Sequence, residues 1–277
     1  MTTSQTWLIT GAGRGLGRAI AEAALEAGHS VLATVRGEHS LAPHEQLVVH
    51  ELDVRDRAGA STAVARAVEA FGGLDVLVNN AGYGLIGAIE EIDEDAARDI
   101  VDTNLFGALW LSQAALPVMR ANGGGQIVQI STVGAVGTMP TLGLYNAAKW
   151  ALEGFSEALA NEVRGFGIRV TIAELGETDT EWGTGSMRFA RPDPAYDELR
   201  TSVFGSPVVP WPDAGGTGGG TPPEVAAAAI LAHVADLSGE RLRLLVGDDA
   251  PGQVRAALDL RLADYARDER FPQAPRH

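Results

Sequence analysis

Apolar and polar positions along the chain fall into two alternating textures. Short runs of β-branched and aliphatic residues, at 6–10, 30–35, 47–51, 76–79, 126–131, 169–173 and 242–246, carry few polar interruptions, as strands buried on both faces do. Between them lie longer stretches rich in Ala, Leu and Glu, at 15–27, 57–71, 94–122, 143–165 and 223–237. In the fourth of these, Leu152, Phe155, Leu159 and Val163 recur at intervals of three and four, which paints one apolar face of a helix. Strand and helix in alternation predict an α/β fold: one doubly wound parallel sheet of about seven strands with helices on both faces.

The alternation breaks down after Glu174. From there to Pro223 the residues Gly, Pro, Thr and Asp dominate, and 215–220 read Gly-Gly-Thr-Gly-Gly-Gly. No internal repeat and no second core are visible, so residues 1–277 are expected to form a single domain with an insertion of little regular structure at about 177–222. Long loops in compact domains are uncommon and often serve as lids. The insertion is therefore expected to be a mobile cover over a site built from earlier residues, with a plain spacer as the alternative for the glycine tract. Trp182, Met187, Phe189, Tyr196, Phe204 and Trp211 place apolar bulk in it, which suits an apolar ligand and equally an anchoring of the loop to the core.

Composition removes several classes of function. The chain has no cysteine, which excludes a disulfide scaffold, a thiolate zinc site, an iron–sulfur cluster and a cysteine nucleophile. Lys+Arg of 21 against Asp+Glu of 36 leave a net charge of −15, so no basic field invites nucleic acid or an acidic membrane surface. Residues 1–5 lack the positive start of a signal peptide, and the apolar stretch 107–119 is broken by Ser112, Gln113 and Pro117, well short of the about 18 apolar residues that span a bilayer. A cytoplasmic protein is expected. His29, His39, His44, His50, His233 and His277 show no metal-ligand spacing, so no metal is expected. No serine stands in a G-x-S-x-G elbow, which leaves a hydrolase little support.

The first strand runs into Thr10-Gly11-Ala12-Gly13-Arg14-Gly15-Leu16-Gly17 and then into a helix. Glycines allow a sharp turn and a close approach, and the helix start offers unpaired N–H groups to an anionic pyrophosphate. The spacing departs from G-x-G-x-x-G, since Leu16 stands where the third glycine belongs, and the lysine of a phosphate-binding NTPase loop is missing. A second signal lies in the basic residues: 20 are arginines and one, Lys149, is a lysine, four residues after Tyr145. With four tyrosines in the chain, chance gives that spacing roughly once in seventy. On a helix the two share a face. A phenol of ordinary pKa about 10 is a poor acid or base at neutral pH unless a nearby cation stabilises its phenolate.

These residues resemble the short-chain dehydrogenase/reductase family, whose cofactor turn reads T-G-x-x-x-G-x-G and is matched by Thr10, Gly11, Gly15 and Gly17. Asp53-Val54, Asn79-Asn80-Ala81-Gly82, Ser131-Thr132 and Tyr145-x-x-x-Lys149 follow in the family's order. The resemblance is strong over roughly residues 6–182 and implies a Rossmann-type fold that binds a nicotinamide dinucleotide. It implies Tyr145 as proton donor to a carbonyl, Lys149 as tuner of the phenol and ribose anchor, and Asn104 as holder of a water that relays protons to the lysine. The third hydroxyl is expected at Thr132, 13 residues before the tyrosine, with Ser131 as the alternative. The resemblance further places Gly11, Gly13, Arg14, Gly15, Leu16 and Gly17 against the cofactor, Asp53 and Val54 at the adenine, Asn80, Ala81 and Gly82 at the adenosine ribose and sheet centre, and Thr180 at the nicotinamide amide.

In such folds a carboxylate at the end of the second strand favours NAD, whereas a cation there accommodates the 2′-phosphate of NADP. That strand ends in Thr34-Val35-Arg36, with no acidic residue before Glu38, and Arg14 adds a second cation. NADP(H) is expected. Relatives commonly carry Pro-Gly after the sixth strand, and here the pair is Leu175-Gly176, which puts the usual path of the loop over the nicotinamide in question. The reading that emerges is an NADPH-dependent carbonyl reductase, or alcohol dehydrogenase in reverse, acting on a small-molecule and rather apolar ketone or secondary alcohol. A non-catalytic NADP-binding sensor or scaffold is the alternative, and the intact Tyr–Lys pair weighs against it. Pairing through the helices at 94–122 and 143–165 into a homodimer or homotetramer is also expected from the resemblance.

Overall fold

The structure, a computed structural model, describes residues 4–179, 185–209, 219–238 and 241–272. Strand β1 (Thr6–Ile9) is buried at every position, because it is central in its sheet and its alternate side chains enter a hydrophobic core on each face. Strands β2 (Ser30–Val35) and β3 (Leu47–Glu51) follow on one side of it, and β4 (Val76–Asn79) on the other. After the short strand β5 (Gly84–Ile86), the sheet continues through β6 (Gly125–Thr132) and β7 (Ile168–Leu175), and it ends at β9 (Arg243–Val246), which lies beyond another short strand, β8 (Met187–Phe189). The seven strands of the main sheet are all parallel in the order β3-β2-β1-β4-β6-β7-β9. The strand order reverses between β1 and β4, and a crevice opens there beyond the strands' carboxyl ends, the place where α/β sheets bind ligands.

Helices cover both faces. Helix α1 (Gly15–Glu26) packs Ile20, Ala21 and Ala24 against one face, beside a later helix α7 (Pro223–Ala235) that contributes Ala226, Ala227, Ile230 and Val234. The opposite face carries α2 (Arg57–Phe71), α4 (Gly107–Ala121) and α5 (Gly143–Val163), with Val64, Leu111, Met119, Leu159 and Val163 in one core. Local chemistry sets the helix ends. Asp56 caps α2 by accepting from the Ala58 N–H, and Gly72, at φ 86°, closes it in the left-handed conformation.

Three features depart from the sequence expectation. The stretch 94–122 is not one helix: α3 (Glu94–Val101) passes through a π turn (Asp102–Phe106) before α4 begins. The wider turn is held by Asn104, whose Nδ2 donates to Tyr83 O at 2.8 Å and whose Oδ1 accepts from Tyr83 N at 3.1 Å. Such turns concentrate at functional sites. A C-terminal helix α8 (Ala250–Tyr265) was not foreseen; Ala250 is its one fully buried residue, so no apolar stripe announces it.

The third departure is the insertion, which is more ordered than its composition implies. Its described part contains β8, paired in parallel with β5, a 3-10 turn (Pro194–Tyr196) and helix α6 (Asp197–Phe204). The reason is an ion cluster. Arg200, buried, bonds the equally buried Glu91, Asp197 Oδ1 at 2.6 Å, Asp193 O at 2.6 Å and Pro207 O at 3.0 Å. Glu91 also accepts from Asp193 N at 2.7 Å. A guanidinium with all three nitrogens engaged fastens the insertion to the turn at Ile89–Glu91. Removing one member of a buried pair strands the other, and this cluster lies in the outer layer of the molecule. Arg200→Met is therefore expected to lower unfolding free energy by about 2 kcal/mol in a urea titration, and adding Glu91→Gln to recover most of it. An Arg200→Met protein as stable as the parent would show that the cluster fastens nothing.

Candidate active site

The crevice holds a cavity of about 860 Å³ lined by the glycine turn, the ends of β2 and β6, the loop after β4 and the start of α5. The turn is shaped by two left-handed residues, Gly11 at φ 64° and Gly15 at φ 55°. Close approach requires a third glycine, because a Cβ on Gly17 would stand 2.4 Å from both Asn80 Nδ2 and Gly11 O. Gly13, by contrast, has room for a methyl group. Arg14, at the N-cap of α1, makes no side-chain cap bond, so the first N–H groups of the helix are left for another acceptor. Thr10 and Asn80 stitch the two strands at the reversal point: Thr10 Oγ1 accepts from Asn80 N at 2.9 Å and Ala81 N at 3.0 Å, and Asn80 Nδ2 donates to Thr10 O at 2.9 Å. An anionic diphosphate and its flanking sugars fit this cradle in chemistry and in size.

At the far end of the cavity stand Leu16, Arg36, Asp53 and Val54. The Arg55 guanidinium grips Asp53 with contacts of 3.0 and 2.5 Å and holds its carboxyl below the usual range. Arg55 also bonds Asp99, which in turn bonds Arg188 at 2.6 Å, and Arg188 lies 4.3 Å from the centre of the Tyr83 ring. Sequence reasoning missed Arg55, Asp99 and Arg188, which are far apart along the chain. Arg14 is turned toward the insertion, donating to Gly185 O at 2.7 Å and Ser186 Oγ at 2.9 Å. Thr180 lies outside the described residues, as do Trp182 and Trp211. The Leu175-Gly176 step continues the sheet edge: Gly176 N donates to Val246 O at 2.9 Å, and Glu177 N to Asp249 Oδ2 at 2.9 Å.

Tyr145 and Lys149, one helical turn apart on α5, are both buried and both line the cavity. The Thr132 side chain is hydrogen-bonded to the Tyr145 hydroxyl. Ser131 turns the other way and donates to Glu153 Oε1 at 2.6 Å. Of the two hydroxyls left open by the sequence, Thr132 is thus the one beside the phenol. Lys149 Nζ donates to Ile130 O at 2.7 Å, and a Cβ on Gly82 would lie 3.7 Å from Nζ and 3.1 Å from Asn104 Oδ1. Asn104, Gly82 and Lys149 therefore meet in one corner of the site.

The charge states differ from expectation in one respect. Burial pushes the Tyr145 phenol above its ordinary value, and the hydrogen bond with Thr132 offsets this only in part. The phenol is not acidified here, because taking a phenolate out of water outweighs the local dipoles. Burial also lowers the Lys149 ammonium to about 8, against the opposing charge of Glu153. At neutral pH the site therefore presents a protonated phenol, a second hydroxyl beside it and an ammonium behind. This arrangement can bind an oxygen between two hydroxyls and pass it a proton.

A family model described as short chain dehydrogenase matches residues 5–188. The chain is 39% identical over 253 residues to the oxidoreductase BOA17 of Botryotinia fuckeliana, covering 89% of this chain and 90% of that one. Among solved structures, a short-chain dehydrogenase from Streptomyces avermitilis superposes with a TM-score of 0.85 at 37% identity, covering 97% of each chain. A short chain dehydrogenase from Burkholderia cenocepacia in complex with NADP superposes with a TM-score of 0.73 at 26% identity, covering 95% of this chain and 97% of that one.

The opposite orientations of the two hydroxyls can be separated by substitution. Thr132→Val, which keeps the shape, is expected to lower kcat by about 100-fold, and Ser131→Ala by less than about ten-fold, in a cofactor-oxidation assay. The reverse ranking would assign the role to Ser131.

Proposed function

The chain belongs to the short-chain dehydrogenase/reductase family of oxidoreductases, and from that premise we propose that it is an NADPH-dependent carbonyl reductase. The observation that carries this reading is the meeting of Thr132, Tyr145 and Lys149 in the same cavity as the glycine turn. When bound, the nicotinamide supplies the hydride.

The chain's own residues supply the rest. Thr132 and Tyr145 orient the carbonyl oxygen by hydrogen bonds, and Tyr145 gives it a proton. Its raised pKa keeps the phenol fully protonated until a substrate takes that proton. The phenolate then formed lies one helical turn from the Lys149 ammonium in the same buried cavity, where opposite charges interact strongly. Lys149 also anchors the nicotinamide ribose, and the π turn carrying Asn104 holds the water that returns protons to it. Gly11, Gly15, Leu16 and Gly17 receive the pyrophosphate, Asp53 and Val54 the adenine, Asn80, Ala81 and Gly82 the adjoining ribose, and Thr180 the nicotinamide amide. A sensor on the same fold would have no use for the paired hydroxyls.

Arg36 at the end of β2 and Arg14 in the turn favour the 2′-phosphate of NADP. Val133, Met139, Leu142 and Leu175 give the substrate end an apolar wall, which suits an apolar ketone or secondary alcohol. Glu177, Thr178 and Ser186 of the insertion line the same cavity. Exposed Phe106 and Trp150, beside α4 and on α5, fit pairing of two or four copies through these helices. Among the described residues no helix is long and apolar enough to cross a membrane, and a cytoplasmic enzyme is the reading adopted.

Tyr145→Phe is expected to reduce kcat for ketone reduction by about 10²–10⁴-fold while NADPH binding, followed by fluorescence, stays near the parent value. Retained turnover in that variant would refute the proton-donor role. Arg36→Ala is expected to raise KM for NADPH by about 10-fold or more and leave that for NADH unchanged, since it removes a charge-assisted contact to phosphate alone. A parent enzyme with a higher kcat/KM for NADH than for NADPH would overturn the cofactor assignment.

A further inference from the structure

A line of ionisable side chains continues along α5 beyond the residues assigned above. Tyr145, Lys149, Glu153 and Glu157 stand four residues apart on one face of the helix. The first two line the cavity; the third is buried behind them, and the fourth is half-exposed. Glu153 accepts from Ser131 at 2.6 Å, one residue before Thr132 on β6. From β7, Glu174 approaches the same spot, since it is the register partner of Ser131 and is fully buried. From β9, Arg243 reaches in, with Nη2 3.4 Å from Glu153 Oε2, Nε 2.8 Å from Glu174 Oε1, and a further contact to Glu157.

This cluster has no part in the chemistry derived above. Three carboxyl groups share one guanidinium, in a place where an unpaired charge is costly. Burial raises both Glu153 and Glu174, the latter to about 7, and Arg243 counters this at each. Lys149 meanwhile donates to a carbonyl oxygen, Ile130 O, and the opposing charge that bears on it is that of Glu153.

We propose that Glu153 is a positioning residue for the reaction: its carboxylate, held by Ser131 and Arg243 one turn beyond Lys149, is the counter-charge that keeps the buried lysine an ammonium. The inference rests on the reading of Lys149 as part of the reductive site, and it adds the group that sets that lysine's charge. Through Ser131 the same carboxylate fixes the strand end that carries Thr132. Carbonyl reduction that needs the ammonium then falls as pH rises through the Lys149 midpoint, and loss of Glu153 moves that fall to lower pH.

The chain offers a direct measurement, because Lys149 is its only lysine. Lysine labelled with ¹³C at the ε carbon gives a single side-chain signal in the full-length protein, and its titration reads the Lys149 charge without substrate or turnover. The parent midpoint is expected near 8. Glu153→Gln, which keeps an acceptor for Ser131, is expected to lower it by on the order of one pH unit, and the basic limb of kcat/KM to move with it. Glu157→Gln, one turn further and half-exposed, is expected to leave the midpoint in place. Should Glu153→Gln fail to fold, Arg243→Gln, at a half-exposed residue, removes the guanidinium that opposes the effect of burial on Glu153 and is expected to shift the midpoint the same way. A midpoint unmoved in the folded variant overturns the proposal. A midpoint that shifts in a protein unable to reduce any carbonyl supports the hold of Glu153 on Lys149 and overturns the reductase reading.

Discussion

A single ammonium group buried between α5 and the end of β6 is the constraint around which the site is arranged. Taking such a charge out of water is unfavourable by several kcal/mol unless partners replace the lost solvent. The structure supplies Ile130 O at 2.7 Å and a carboxyl one helical turn away. Gly82 leaves this corner open: a Cβ there would crowd Asn104 Oδ1 at 3.1 Å and touch Lys149 Nζ at 3.7 Å. The π turn places Asn104 in that corner, and Asn104 in turn holds the Tyr83 backbone at the head of β5. Four chain segments thus converge on one nitrogen atom, and the phenol and the Thr132 hydroxyl take their positions from the same convergence.

Most of the sheet was legible because its signal is local. Strands buried on both faces read as unbroken apolar runs, and the seven runs in the sequence correspond to the seven strands of the main sheet to within two residues at each end. What was not legible depends on contacts between distant residues. The π turn looks like ordinary helix in sequence, since its cause is the Tyr83 backbone, some twenty positions earlier. The insertion reads as loop because Pro, Gly and Asp dominate it, whereas its order comes from one buried arginine meeting a glutamate 109 positions away. Helix α8 buries only Ala250 completely, so period 3.6 leaves no trace.

The site divides along the same line. Spacing alone exposed the glycine turn and the Tyr145–Lys149 pair, because each lies within one element or one junction. The choice between Thr132 and Ser131 needed the third dimension: both hydroxyls end one strand, and their neighbours on α5, Tyr145 and Glu153, decide which way each faces. Of the four-residue ladder from Tyr145 to Glu157 the sequence reading singled out only the first pair, since Glu174 and Arg243, which give the rest its meaning, arrive from strands β7 and β9.

Net charge adds a last element. At −15 the chain as a whole repels a dinucleotide carrying several negative charges, but screening confines that repulsion to about 8 Å at physiological salt. Inside that range the local balance governs. Arg14, Arg36, Glu38 and Asp53 line the crevice, and Arg55 and Arg188 pair with the carboxylates of Asp53 and Asp99. Arg55 and Arg188 are tied to those carboxylates, and Arg14 to the backbone and hydroxyl of the insertion. Of these groups Arg14 is held by neutral acceptors, which can be exchanged for an anion without leaving a carboxylate unpaired.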